Sequence, residues 1–164
     1  MTARVHCSRI YDRRMARWAD VCREVPDFAA RVQAAFERNR HMTLATVRRD
    51  GSPRISGTEI RFDDGEVLVG MMARSRKALD LLRDSRVAVH GPTADPPEES
   101  REWIGEGKLA GRAIEVPNDD PVDDSHSFRI DVDEVVFTHL NAAGDRLAIE
   151  SWHPGRGIEI VERE

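Results

Sequence analysis

The residues with the clearest capacity for chemistry are Ser75, Arg76 and Lys77, which open the stretch Ser75 to Asp84. Ser75 is suited to cap a helix whose inward stripe is Ala78, Leu81 and Leu82, at i, i+3 and i+4 spacing. Arg76 and Lys77 then fall in the first turn, where the helix already carries partial positive charge. Placing cations there costs a few tenths of a kcal/mol each, up to roughly 1. The placement makes sense if an anion docks there, because free backbone N–H groups, a hydroxyl and two cations together form a phosphate cradle. The other reading of this stretch alone is a solvated helix start with two surface charges.

A third cation, Arg54, opens the segment Pro53 to Phe62. Strand alternation puts Arg54, Ser56, Thr58 and Ile60 on one face and Ile55, Gly57, Glu59 and Arg61 on the other. A face polar at three successive positions suits a ligand, or an edge strand with one wet side. Gly70 lacks a side chain inside the bulky run Val67 to Met72. A flat ring could approach the backbone there, or the strand could bulge. Trp152 and His153 at a strand end either stack on a ligand or plug the interior, and the plug is the simpler reading.

Other constellations carry less. The six histidines lie far apart and show no metal-ligand spacing, so no metal site is expected. Asp124-Ser125-His126 has the residue types of a hydrolytic triad, but triads are spatial and adjacency is irrelevant. Gly105 to Gly111 contains Gly-Lys without phosphate-loop spacing. Gly155-Arg156-Gly157 is too short for a dinucleotide fingerprint. Cys7 and Cys22 have no redox spacing and are expected to be reduced. No residue stands out as a catalytic acid or base, so the catalytic residues are left unassigned.

The elements that must position these residues follow from periodicity. Residues 1–14 hold four arginines and no apolar pattern, and are expected to form a disordered arm ahead of one domain at 15–164. Trp18, Val21, Cys22 and Val25 predict a short helix. Pro26 suits the first position of a second helix, with Phe28, Val32, Ala35 and Phe36 inward. Strands are expected at Met42–Arg48, Pro53–Phe62, Glu66–Met72 and Arg86–His90, with Asp-Gly turns at Asp50-Gly51 and Asp64-Gly65. Gly91 to Arg101 and Pro117 to Asp124 read as loops. Trp103 to Val116 reads as a long strand bent at its glycines, and Ser125 to Ile130 as a short helical turn. Val132–Leu140, Arg146–Trp152 and Ile158–Val161 complete the β pattern. The fold class is therefore mainly β with flanking helices. About six antiparallel strands are expected to form a small barrel, with a sandwich as the alternative.

Whole-chain quantities bound the function. The 164 residues include 40% hydrophobic and 34% charged residues, as expected of one globular domain. A net charge of −5 argues against a nucleic-acid partner. No apolar run is long enough to span a membrane and no signal peptide is evident, so the cytoplasm is the expected location.

The run from Thr43 to Gly91 resembles the pyridoxamine 5'-phosphate oxidase-like family of flavin-binding split β-barrels. The resemblance lies in "TLATVRRDGSPRIS", "DDGEVLVG" and "SRKALDLLRDSRVAVHG", in that order, and the tail "ESWHPGRGIEIVER" is similar to tails of actinobacterial members. Ser85 stands where proline is common. The resemblance implies a homodimeric six-stranded antiparallel split β-barrel with FMN, or alternatively the deazaflavin coenzyme F-420, in a groove between subunits. It implies that Arg54, Ser75, Arg76 and Lys77 hold the cofactor phosphate. The ring would lie along Ser56, Gly57 and Thr58 and along Gly70 and Met71, with Trp152 from the second subunit closing the pocket. Oxidases of pyridoxamine phosphate itself carry a C-terminal motif that this chain lacks beyond Trp152, which puts vitamin B6 phosphate in doubt as substrate. The implied function is a flavin- or deazaflavin-dependent oxidoreductase passing hydride between the cofactor and a small organic substrate. The alternative is a non-catalytic cofactor or haem carrier, with His90, His139 or His153 as axial ligand.

Overall fold

The computed structural model describes residues 15–93, 97–99, 102–118 and 124–164. The expected arm at 1–14 and parts of the two expected loops lie outside these residues. Two helices come first, α1 (Trp18–Glu24) and α2 (Pro26–Glu37), then β1 (Met42–Val47), β2 (Pro53–Thr58), β3 (Ile60–Asp63) and β4 (Glu66–Met71). Helix α3 (Arg76–Arg83) precedes β5 (Arg86–His90), β6 (Glu106–Val116), β7 (His126–Leu140), β8 (Leu147–His153) and β9 (Gly157–Arg163). Among the described residues no helix is long and apolar enough to cross a membrane.

Every paired strand is antiparallel, and hydrogen bonds link them in the order β2-β1-β5-β6-β7-β4-β3, with β8 and β9 continuing from β7. There are thus nine described strands where about six were expected, in one sheet instead of a sandwich. Part of the difference lies in Pro53–Phe62, which breaks at Glu59. Its first half pairs with β1 and its second with β4, at opposite ends of the hydrogen-bonded path, and one continuous strand could not run beside both without turning. Both ends of the path are thereby joined through a single residue.

Local chemistry accounts for most junctions. Pro26 occupies the first turn of α2, where its missing N–H costs nothing. The β3–β4 turn needs positive φ at two residues, and Asp64 and Gly65 supply 46° and 73°. The register of β6 against β7 shifts between Ala110 and Gly111, so the expected glycine bulge is real. A Cβ on Gly111 would lie 2.0 Å from the Asp131 carbonyl oxygen, which is why that position carries no side chain. The predicted helical turn at Ser125–Ile130 is instead strand from His126 onward. Phe128, Ile130 and Val132 alternate inward there, a period-2 signal that extends the strand expected only from Val132.

The core lies between the two N-terminal helices and the inner sheet face. Trp18, Val21, Val32 and Phe36 meet Leu44, Val67, Val69, Leu109 and Ile130, and Phe62 touches the rings of Trp18 and Phe36 at 4.9 and 5.8 Å. Far from α3, one carboxylate ties three elements together. Glu150 on β8 accepts two hydrogen bonds from Arg31 of α2, at 2.6 and 2.8 Å, and its Oε1 lies 2.7 Å from Nε2 of His139 on β7. The Arg31 hydrogen bonds hold the Glu150 carboxyl below its ordinary value against the opposing effect of burial, helped by the Arg31 charge and by His139. The unfolded chain therefore takes up this proton first. The resulting stabilisation is complete above the ordinary glutamate value, about 4.3, and is lost as pH falls through the folded value. In urea titrations between pH 7 and pH 3, Glu150→Gln should flatten the acid limb of the stability curve. An acid limb parallel to that of the parent would count against this assignment.

Candidate functional site

Helix α3 begins as its sequence predicts. Ser75 is extended (φ −61°, ψ 143°), and its hydroxyl accepts a hydrogen bond from the Ala78 N–H at 3.4 Å. No acidic residue occupies the first turn, so nothing there offsets the partial positive charge. The inward stripe differs from expectation. Ala78 and Leu81 are buried, but Leu82 is 47% exposed and Asp80 is buried in its place. Burying a carboxylate needs partners, and Asp80 has three. Arg54 Nε donates to Oδ2 at 2.6 Å, Thr46 Oγ1 donates to Oδ2 at 2.9 Å, and Arg83 reaches Oδ1 at 3.3 Å. Burial pushes the Asp80 carboxyl up, but the hydrogen bonds from Arg54 and Thr46 and the Arg54 charge outweigh it and hold the group below its ordinary value. Arg83 also donates to the Val47 carbonyl, fastening the end of α3 to β1.

Arg76 and Lys77 are neighbours in sequence but line different cavities. Arg76 is exposed on a concavity of about 660 Å³ between α3 and the β1–β2 turn, with Arg48, Arg49, Arg54 and Arg83 and the carboxylates Asp50 and Asp80. Five guanidinium groups against two carboxylates make this basin strongly positive, on a chain whose net charge is −5. Arg54 and Arg83 are engaged by Asp80, whereas Arg49 and Arg76 have no partner among the described residues.

Lys77 turns to the other cavity, of about 720 Å³, which is lined by Gly57, Thr58, Gly70, Met71, Asn118 and Ser127 among others. Its ammonium donates to the Gly57 carbonyl at 2.6 Å, and burial lowers its pKa. The break at Glu59 and the end of β4 form this wall. A Cβ on either Gly57 or Gly70 would meet no atom within 4 Å, so both glycines present bare backbone to open space. Thr58 is only 5% exposed, and its buried Oγ1 has no hydrogen-bond partner among the described residues. A buried hydroxyl without a partner is costly, and a bound polar group would satisfy it. Open glycine backbone, an orphaned hydroxyl and a nearby cation suit the polar edge of a flat heterocycle, and the arginine basin suits its phosphate.

The structure thus brings Gly57, Thr58, Gly70, Met71 and Lys77 to one cavity and Arg54 and Arg76 to another, with Ser75 capping the helix between them. Ser56 lies opposite Leu44 on the half-buried face of β2 and lines neither. Trp152 is fully buried in the core, as a plug would be, with its Nε1 unpartnered among the described residues. Sequence reasoning missed Asp80, Arg83 and the arginines of the β1–β2 turn. The one local signal was Asp80 three residues before Arg83 on the same helix. Among the described residues no three His, Cys, Asp or Glu side chains are placed to hold a metal ion.

Solved structures share this fold at low identity. A pyridoxamine 5'-phosphate oxidase-related, FMN-binding protein from Nostoc punctiforme is similar with a TM-score of 0.61 and 12% identity, covering 85% of this chain and 96% of the other. PhzG from Burkholderia lata, in complex with tetrahydrophenazine-1-carboxylic acid, gives 0.57 and 13%, covering 90% and 88%. A heme binding protein from Mycobacterium smegmatis gives 0.53 and 13%, covering 81% and 85%. No curated protein matches in sequence. The profile of one family, described as pyridoxamine 5'-phosphate oxidase, matches residues 28–139, well over half of the chain and spanning α2 to β7. By that match the chain belongs to the pyridoxamine 5'-phosphate oxidase family.

Proposed function

We propose that this protein is a cytoplasmic, homodimeric split-barrel oxidoreductase that binds FMN, or alternatively the deazaflavin coenzyme F-420, and passes hydride between it and a small organic substrate. The observation that carries the reading is the cavity where bare backbone at Gly57 and Gly70 meets the orphaned Thr58 hydroxyl and the Lys77 ammonium. FMN binding is supported by the description of the Nostoc punctiforme protein. When bound, the cofactor supplies the redox chemistry, and the protein binds, orients and shields it. Arg54, Arg76 and the Ser75 cap would hold the phosphate through charge-assisted hydrogen bonds, each contributing about 1.5–3 kcal/mol, while Lys77, in the other cavity, would face the polar edge of the ring. Gly57, Thr58, Gly70 and Met71 would hold the ring, the Thr58 hydroxyl gaining the partner it lacks.

A second copy would pack on the outer sheet face, where Thr43, Ala45, Ile55, Ala88 and Ala110 line a concavity of about 890 Å³ and Ile55 is 74% exposed. Small side chains beside an exposed isoleucine suit close apposition of a like surface. In that arrangement Ser56 and Trp152 would act by supporting the barrel wall instead of touching the ligand.

Haem carriage is the competing reading, favoured by the description of the Mycobacterium smegmatis protein and by His90 on the outer-face concavity. His139 suits it poorly, because its ring nitrogens lie 2.7 Å from the Leu140 carbonyl and 2.7 Å from Glu150. Titrating the purified protein with FMN, the deazaflavin and haem separates the readings by visible absorption. A companion variant tests the ring site. Gly70→Val places a strand-compatible side chain in open space, so it should fold normally while weakening flavin binding tenfold or more. Unaltered flavin affinity in a folded Gly70→Val protein would remove the ring from this cavity.

A further inference from the structure

A separate cavity of about 550 Å³ lies away from the arginine basin and the glycine-walled cavity and shares no lining residue with either. It is bounded by Arg31, Ala34 and Ala35 of α2, by Trp103 and Ile104, and by Phe137, His139 and the β7–β8 turn. Its apolar walls include Ile104, which is 56% exposed. Ala34 is exposed, and its small side chain leaves room on the helix face. The polar groups are chiefly donors. Arg31 lies over the Phe137 ring at 5.0 Å and donates one N–H from each terminal nitrogen to Glu150. Its Nε–H and its two remaining terminal N–H groups have no partner among the described residues. The Trp103 indole N–H is likewise without one. Acceptors nearby are already engaged, Glu150 by Arg31 and His139, and the Asn141 side-chain Oδ1 by N–H groups of its own turn.

We infer that this cavity binds a small aromatic carboxylate, its ring against the apolar and aromatic walls and its carboxylate on the unpaired N–H groups of Arg31. A concave, mostly apolar cavity with a few convergent donors is the usual form of a small-molecule site. A guanidinium pre-positioned by Glu150 and an aromatic face is suited to receive a planar carboxylate.

The probe is 2-naphthoate, followed by calorimetry on the full chain, with 2-naphthamide as the neutral control. The parent should bind the carboxylate, and the amide should bind at least tenfold more weakly. Ala34→Phe fills the cavity while leaving both Arg31 and Glu150 in the chain, and should lower naphthoate affinity tenfold or more while flavin titrations stay unchanged. Trp103→Ala should also weaken binding, should the phenylalanine prevent folding. Equal affinity for acid and amide, or naphthoate binding that survives both substitutions, would overturn the proposal. So would no binding to the parent, or binding lost on substitution of Arg76 and Lys77 but kept in Ala34→Phe.

Discussion

Replacing Asp80 by alanine should destabilise the protein by about 3–5 kcal/mol, the range for removing one partner of a buried ion pair. The cost arises from what is left behind. Asp80 is 4% exposed, the Arg54 side chain is 18% exposed, and Thr46 at 3% has its hydroxyl on the same carboxylate oxygen. Without Asp80 a poorly solvated guanidinium and a buried hydroxyl lose their acceptor together. Arg83 is less affected, since it keeps the Val47 carbonyl. Urea denaturation near neutral pH measures the loss, with linear extrapolation to water. The pairing itself is tested by a double-mutant cycle with Arg54→Ala, in which the two losses should fall well short of adding. A loss below about 1 kcal/mol, the level of a surface pair, would mean that Arg54 reaches solvent once released. Because the folded Asp80 carboxyl lies below its ordinary value, this stabilisation is fully present above the usual aspartate range and disappears as pH falls through the folded value.

Exchanging Arg76 and Lys77 together for alanine should weaken cofactor binding tenfold or more, equivalent to about 1.4 kcal/mol, with little loss of stability. Among the described residues Arg76 is exposed without a partner, and the Lys77 side chain holds only the Gly57 carbonyl. The Ser75 cap and the buried Ala78 and Leu81 that seat the helix are untouched, so α3 should persist. Fluorescence or absorbance titration with FMN and with the deazaflavin reads the effect. Two cations opening a helix raise its macrodipole cost, so removing them should leave urea stability equal or slightly higher. Identical affinities for both cofactors in parent and variant would detach the phosphate from this helix end and leave the arginine basin without the assigned role.

The relation between the two substitutions explains what was legible beforehand. Ser75, Arg76 and Lys77 could be read as a capped helix start carrying cations because cap, first turn and apolar stripe all lie within a few residues. Pro26 at the start of α2, the Asp64-Gly65 turn and the glycine bulge in β6 were legible for the same reason. Each is a local consequence of backbone sterics or of one missing hydrogen-bond donor. The alternation of Phe128, Ile130 and Val132 was equally local, and the helical turn assigned to Ser125–Ile130 passed over it.

What sequence could not supply is which distant groups share a charge. The polar strand face marks Arg54 for a ligand and the family resemblance makes that ligand a phosphate, but the fold also gives it Asp80, 26 positions away, as a short-range partner. Glu150 is 119 positions from Arg31, and nothing in either neighbourhood marks the pair. The break at Glu59 likewise depends on β1 and β4 standing at opposite ends of the sheet path, which only the assembled sheet decides. The stretch opening at Ser75 therefore determined by itself that a helix starts there, capped and cationic. Tertiary structure decided that its two cations part company, Arg76 to the arginine basin and Lys77 to the glycine-walled cavity. The physical reason is that a cap is set by neighbours along the chain, whereas a side chain's solvent, partners and cavity are set by whatever the fold packs against it.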